Sequence, residues 1–288
     1  MKRTIRALPR TALAATLAAA AFGAAAQSNS PWLPIPGSGS ISANYVNQKG
    51  DDAYIGDRKL PISAITGGAA QRYKRESTGL KLTYGLTDAV SVDASLSYTK
   101  TRVGAADNSS GLADSVIGVN WRVLDEFERR NLPTVTLRLT AIINGNYDGA
   151  RLAALGKDAN GYGLSVLIGR QFTPKFSVWG GLGFEDRDNG VPNAFFFDVN
   201  ASYAILPRLS LAAGYSNKKF DGNLDIGGPG FTPAAFQKVR EEREIVRLGL
   251  SYALAGKQTI GVSFGQTVGG RNTVKDDAII GVNYSFGF

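Results

Sequence analysis

The chain has 288 residues, with 32 Lys and Arg against 24 Asp and Glu, no Cys, no His, 35 Gly and one Met. The missing Cys excludes disulfides, thiolate zinc sites and cysteine nucleophiles, and the missing His removes the commonest general base and metal ligand. With 43% hydrophobic residues the chain is too apolar to be disordered, and its composition points away from an enzyme and from any cofactor.

The first segment reads as an address. Lys2, Arg3, Arg6 and Arg10 precede the Ala-rich apolar run 11–22, and Ala24, Ala25 and Ala26 follow. A basic start, a short apolar middle and a small-residue end describe a secretory signal peptide spanning 1–26, cleaved before Gln27. The run is shorter than the ~20 residues of a membrane helix. No Cys follows the cleavage site, so bacterial lipidation is excluded. Four of the 32 basic residues lie in this segment, leaving 28 against 24 acidic. A nucleic-acid role thereby loses its main support.

Residues 27–288 are read as a single domain of alternating strands. The expected strands are approximately 40–48, 78–86, 90–101, 112–123, 134–144, 161–172, 176–186, 194–205, 209–217, 244–254, 258–267 and 277–288. Phe195, Phe197, Val199, Ala201 and Tyr203 fall on one face, opposite Asp198, Asn200 and Ser202. At the end Ile280, Val282, Tyr284, Phe286 and Phe288 face one way and Gly281, Asn283, Ser285 and Gly287 the other. A soluble sandwich alternates too, but three details favour an antiparallel transmembrane β-barrel of about 12 strands. The non-apolar face is small, as a narrow closed lumen requires. Aromatic residues, among them Tyr84, Trp121, Phe172, Phe176 and Tyr252, gather near strand ends, where lipid headgroups lie. Connections alternate between short turns (87–89, 173–175, 207–208 and 255–257) and long segments (49–77, 145–160, 218–243 and 268–276), with 124–133 longer than its class. That parity predicts periplasmic termini, short periplasmic turns and long outer loops in the bacterial outer membrane.

Motifs that could carry chemistry fail on context. The segment 150–158 lacks the first glycine of a phosphate loop, since Arg151 stands there, and Asp158 replaces its Ser or Thr. Gly180, Gly181 and Gly183 lie inside an expected strand and open no helix. Ser97 with Lys100, and Ser216 with Lys219, match the acylating tetrad of serine β-lactamases in letters only. No Asp-rich calcium loop is present. What remains is the face opposite the lipid, which carries Lys81, Asp93, Asp114, Arg122, Arg138, Glu185, Asp198 and Arg247. These are the candidates for the lumen and its constriction, read either as a polar conduit or as ion pairs that plug a small barrel. Twelve strands lie between filled barrels of eight and open channels of sixteen, so a narrow or loop-plugged pore is expected. Basic loop residues, Lys49, Arg58, Lys59, Arg72, Lys74 and Arg75 in the first long loop and Lys218, Lys219, Lys238, Arg240 and Arg243 in the fifth, read as solvated charge or as partners of lipopolysaccharide phosphates. Tyr284, Phe286 and the terminal Phe288 read as an assembly signal for the barrel-assembly machinery.

The segments 80–88 (LKLTYGLTD), 111–124 (GLADSVIGVNWRVL) and 161–169 (GYGLSVLIG) resemble motifs of the outer-membrane protein family named for the meta-pathway of phenol degradation. The chain departs from that pattern in its long first loop and in 231–243. The resemblance implies a barrel that passes small hydrophobic or aromatic compounds, and it brings no catalytic residues. The expected function is therefore an outer-membrane channel for small molecules, with a non-conducting structural or interaction barrel as the alternative.

Overall fold

A computed structural model describes residues 30–129 and 131–288; the expected signal peptide and its cleavage site lie outside them. The strands are Gly39–Gly50 (β1), Asp52–Ile55 (β2), Arg58–Pro61 (β3), Tyr73–Gly85 (β4), Val90–Val103 (β5), Asp107–Leu112 (β6), Ser115–Leu124 (β7) and Thr134–Ile143 (β8). They continue as Gly161–Thr173 (β9), Phe176–Arg187 (β10), Ala194–Leu206 (β11), Leu209–Phe220 (β12), Glu242–Ala253 (β13), Gln258–Arg271 (β14), Val274–Lys275 (β15) and Ala278–Gly287 (β16). Among the described residues the helices are one turn at Ile62–Ile65 (α1) and a 3₁₀ segment at Pro233–Lys238. No helix there is long and apolar enough to cross a membrane.

Each barrel strand pairs antiparallel with its sequence neighbours, and β1 pairs with both β4 and β16 to close the ring. The β6 and β7 segments are one strand interrupted at Ala113 and Asp114. The loop-side half of β5 pairs with β6, the other half with β7. Counted so, the barrel has twelve strands. Closure removes every open edge, which is what permits a sheet to sit in lipid. The start of β1 and the end of β16 meet at one end, where Phe288 N donates to Gly39 O at 3.0 Å and Gly39 N to Phe288 O at 3.2 Å. On that side the turns are short except for the β7–β8 connection at 125–133. In the one between β13 and β14, both Gly256 and Lys257 take positive φ, 70° and 62°, the left-handed backbone that tight hairpins need.

The faces follow the two-residue period. Ile280 is 50% exposed and its neighbour Ile279 only 2%: identical side chains, one on the lipid wall and one inside. Leu164, Leu182, Leu248 and Val262 share the outer face and would be untenable in water as a contiguous band. A bilayer makes the same band favourable.

The long connections are more ordered than expected. The segment 49–77 holds β2, β3, α1 and the start of β4, and β2 pairs with β3 and β15 in a small second sheet. Ala53, Ile62, Ala70, Tyr73, Val103 and Ala153 form a satellite apolar cluster beneath it. The β5–β6 hairpin rises into the same region, so 102–103 and 107–111 are paired sheet where a loop was expected.

Candidate functional site: the barrel lumen

The end where β1 starts and β16 finishes has a floor. Residues 30–37 precede β1 and turn into the barrel, because three inward groups hold them. The Thr136 hydroxyl donates to Pro31 O at 2.7 Å, Trp32 Nε1 donates to Glu126 Oε1 at 2.8 Å, and Trp32 packs edge-on against Trp179 with ring centroids 5.9 Å apart. Glu126 is itself fixed by the Gln171 amide at 2.9 Å. Gly169 makes the room, since a Cβ there would lie 2.6 Å from Pro31 Cγ.

Above the floor, the wall formed by β4, β5, β7 and β8 carries a charged cluster. Arg138 Nη2 donates to Asp93 Oδ1 at 2.9 Å and Nη1 to Asn120 Oδ1 at 2.9 Å; Nη1 also bonds Asp93 Oδ2. Asn120 Nδ2 returns a bond to Asp93 Oδ2 at 2.9 Å. The guanidinium lies flat over Gly118, where a Cβ would come within 2.6 Å of Nη1. Lys81 stands within electrostatic reach of both Asp93 and Arg138. Asp198 on β11 and Arg247 on β13 face the lumen from another sector, Arg247 Nη1 reaching Ser216 Oγ at 3.5 Å. Beside them Val46, Ile245 and Ile279 form a buried apolar strip.

Toward the loops the charges knit wall to cover. Lys218 Nζ bonds Glu185 Oε2 at 2.7 Å, and Arg187 Nη1 bonds Asp114 Oδ2 at 2.6 Å. Asp114 also accepts from Tyr147, and Lys157 pairs with Glu241 and Arg243 with Asp276. Burial, with the bond to Asp114, pushes the Tyr147 phenol well above its ordinary range. Burial alone would raise the Glu241 carboxyl; the Lys157 ammonium, Arg243 and the Thr273 hydroxyl together outweigh it and hold that carboxyl below its usual range.

Placed in this frame, Lys81, Asp93, Arg138, Glu185, Asp198 and Arg247 lie on inward strand positions. Asp114 stands in the break between β6 and β7, at the loop-side end, and not within a strand as the expected 112–123 had it. Arg122 lies at the opposite rim, bonded to Asp125 at 3.1 Å and to Asp88 O at 2.6 Å, where it fastens two turns. Tyr284 and Phe286 face outward near the seam, and Phe288 stacks on Tyr84 at 6.4 Å. The apolar inward residues, Val46, Leu167, Trp179, Ile245 and Ile279, were legible from parity alone, which puts them on the lumen face; a search for polar residues passes over them.

The family model described as "Putative MetA-pathway of phenol degradation" matches residues 48–283. No curated protein matches significantly. Among solved structures the chain is similar to an outer-membrane channel from Pseudomonas putida F1, with 17% identity and a TM-score of 0.70, covering 89% of this chain and 97% of that one. It is also similar to the KdgM porin solved with disordered oligogalacturonate (9% identity, TM-score 0.53, covering 86% and 99%). A third is the translocator domain of the autotransporter NalP from Neisseria meningitidis (10%, TM-score 0.50, covering 95% and 94%). At these identities the likeness speaks for the fold, that of bacterial outer-membrane barrels.

Proposed function

This chain belongs to the family described as the putative MetA-pathway of phenol degradation, and on that premise we propose that it is an outer-membrane channel for small, apolar or aromatic solutes. The observation that carries the reading is the make-up of the lumen. Its mid-height charges answer one another, Arg138 against Asp93 and Arg247 near Asp198, so no ring of one sign faces a passing solute. Next to them runs the strip of Val46, Ile245 and Ile279. A wall of paired charges and apolar side chains suits a neutral molecule with a greasy body and gives little selectivity between cations and anions, which a ring of one sign would supply.

In the same reading residues 1–26 are removed on export, the termini and short turns lie in the periplasm, and the ordered loop cover faces outward. Basic residues of that cover, Arg58 and Lys59 among them, then meet lipopolysaccharide phosphates. The strand ending at Phe288 is the element presented to the barrel-assembly machinery. Swelling of liposomes by uncharged solutes, with single-channel recording alongside, tests the proposal.

One observation favours the alternative of a closed barrel. The floor built from Pro31, Trp32, Glu126 and Trp179 crosses the lumen, and loop ion pairs such as Lys157–Glu241 cover the other end. A barrel shut at both ends would act through its loops instead.

A further inference from the structure

At the loop-side rim, the outward positions of three adjacent strands form a basic lattice. The register sets Lys49 of β1 opposite Lys74 of β4, and Lys74 opposite Arg102 of β5. One outward rung nearer the middle of the wall, Asn47, Glu76 and Lys100 stand in line. Lys49, Lys100 and Arg102 are exposed, and the Lys74 side chain keeps 34% of its surface open. Like charges set opposite one another in a sheet, with Cβ atoms about 5 Å apart, repel. Glu76, paired with Lys74 at 2.8 Å, is the acidic member of the lattice. Four basic residues against that one acidic residue leave an excess of three positive charges.

The same rim is built differently on the far side. On β12, β13 and β14 the register lines up Lys219, Glu242 and Arg271, so the signs alternate and the row balances itself. The row of Lys49, Lys74 and Arg102 has no such alternation, and its balance has to come from anions outside the chain. Height says which anions. The rung below the lattice carries Tyr45 and Tyr98, and the next carries Leu80 and Leu96. The two Tyr are 42% and 45% exposed, and both Leu are 49% exposed. Aromatic rings above an aliphatic band mark the border between lipid chains and headgroups. The basic lattice therefore stands at headgroup height, where lipid phosphates lie. Several cationic groups side by side match a lipid with more than one phosphate better than a lipid with one.

We propose that Lys49, Lys74, Lys100 and Arg102 form a binding site on the outer wall of the barrel for the phosphates of a bisphosphorylated glycolipid of the outer leaflet, whose acyl chains lie along the face of Leu80 and Leu96. The site belongs to the strand wall and not to the loop cover. It rests on the reading that the loops face outward, and it is independent of conduction.

The test is native mass spectrometry of the barrel released from dodecylmaltoside micelles, which counts the lipids bound. Titrated with bisphosphorylated lipid A, the wild-type barrel should hold one molecule roughly ten-fold more tightly than phosphatidylglycerol, which carries a single phosphate. Lys74→Gln with Arg102→Gln should erase that preference. Lys175→Gln with Lys257→Gln removes as much charge from the turns at the opposite rim and should preserve it. Retarded gel mobility of unheated samples verifies that each variant is folded. Equal binding of the two lipids by wild type, a preference unchanged by Lys74→Gln with Arg102→Gln, or one lost equally in the opposite-rim variant overturns the site. Binding of pyrophosphate as tightly as lipid A assigns the lattice to soluble phosphates and overturns the lipid. Orientation is read separately. The chain has no Cys, so Lys59→Cys supplies a single thiol for a membrane-impermeant maleimide on intact cells. Labelling without lipid A preference removes the site and keeps the orientation, while preference with labelling only after lysis removes the orientation and with it the outer-leaflet partner.

Discussion

Arg138 on β8 reaches past β7 to Asp93 on β5 and forms a two-oxygen ion pair in which the two side chains are 6% and 4% exposed. Asn120, on the strand between, bonds to both partners, and Gly118 leaves space for the guanidinium. Arg138→Met strands the Asp93 carboxylate and should cost about 3–5 kcal/mol in urea unfolding from lipid vesicles. The double change Arg138→Met with Asp93→Leu should recover most of that loss. Equal losses in single and double variants would show that the pair is not the unit of stability.

Charge balance at mid-height predicts ion preference. Neutralising Arg138 and Arg247 together, each to Gln, leaves Asp93 and Asp198 facing the lumen. Reversal potentials in a KCl gradient should then move toward cations. A potential unchanged from wild type would mean that ions pass elsewhere or not at all.

The register predicts opposite tolerance at neighbouring positions. Leu139, midway along β8, is 57% exposed on the lipid face, and Thr140 turns inward. Leu139→Arg should destabilise the barrel by ~2–4 kcal/mol. Thr140→Arg should fold better and alter conductance. Similar losses at both positions would contradict the assigned faces.

The loop cover should be acid-sensitive. Asp225 takes two bonds from Arg271 and one from Asn272, and these hold its carboxyl below the ordinary value of 3.8. A lowered carboxyl contributes stability above its unfolded value and loses it as pH falls through the folded one. The segment 221–241 should thus resist protease at neutral pH and open in strong acid, with Asp225→Asn opening it at neutral pH. Resistance unchanged in Asp225→Asn would refute the clasp.

Much of this was legible in the sequence, for physical reasons. A wall with lipid on one side enforces strict alternation, so Ile280 and Ile279, or Leu139 and Arg138, announce their faces. The floor was not legible, because 30–37 carries no periodicity; only the contacts of Pro31 and Trp32 with Thr136, Glu126 and Trp179 reveal it. The loop cover escaped for a similar reason. Its small sheet is held by long-range partners, Val274 against Ala53, and by satellite apolar contacts that leave no repeat. Asp114 was misplaced within a strand because a two-residue break preserves inward direction while interrupting the ladder. The rim position of Arg122 reflects turn chemistry with Asp88 and Asp125, which parity does not encode.

The floor predicts its own removal. Deleting residues 30–36, or replacing Trp32 by Ala, frees Glu126 and uncovers Trp179. Conductance should rise while the barrel keeps its gel mobility. An unchanged conductance would place the narrowest point higher, at the Arg138 cluster.

The central claim is passage of small neutral solutes through the lumen, and liposome swelling with the purified barrel tests it most directly. Vesicles holding the wild-type protein should swell with small uncharged solutes and faster with the 30–36 deletion, while a sugar too large for a twelve-strand lumen should be excluded. No swelling by either protein, with no conductance in planar bilayers, would contradict the channel and leave a closed barrel that works through its loops.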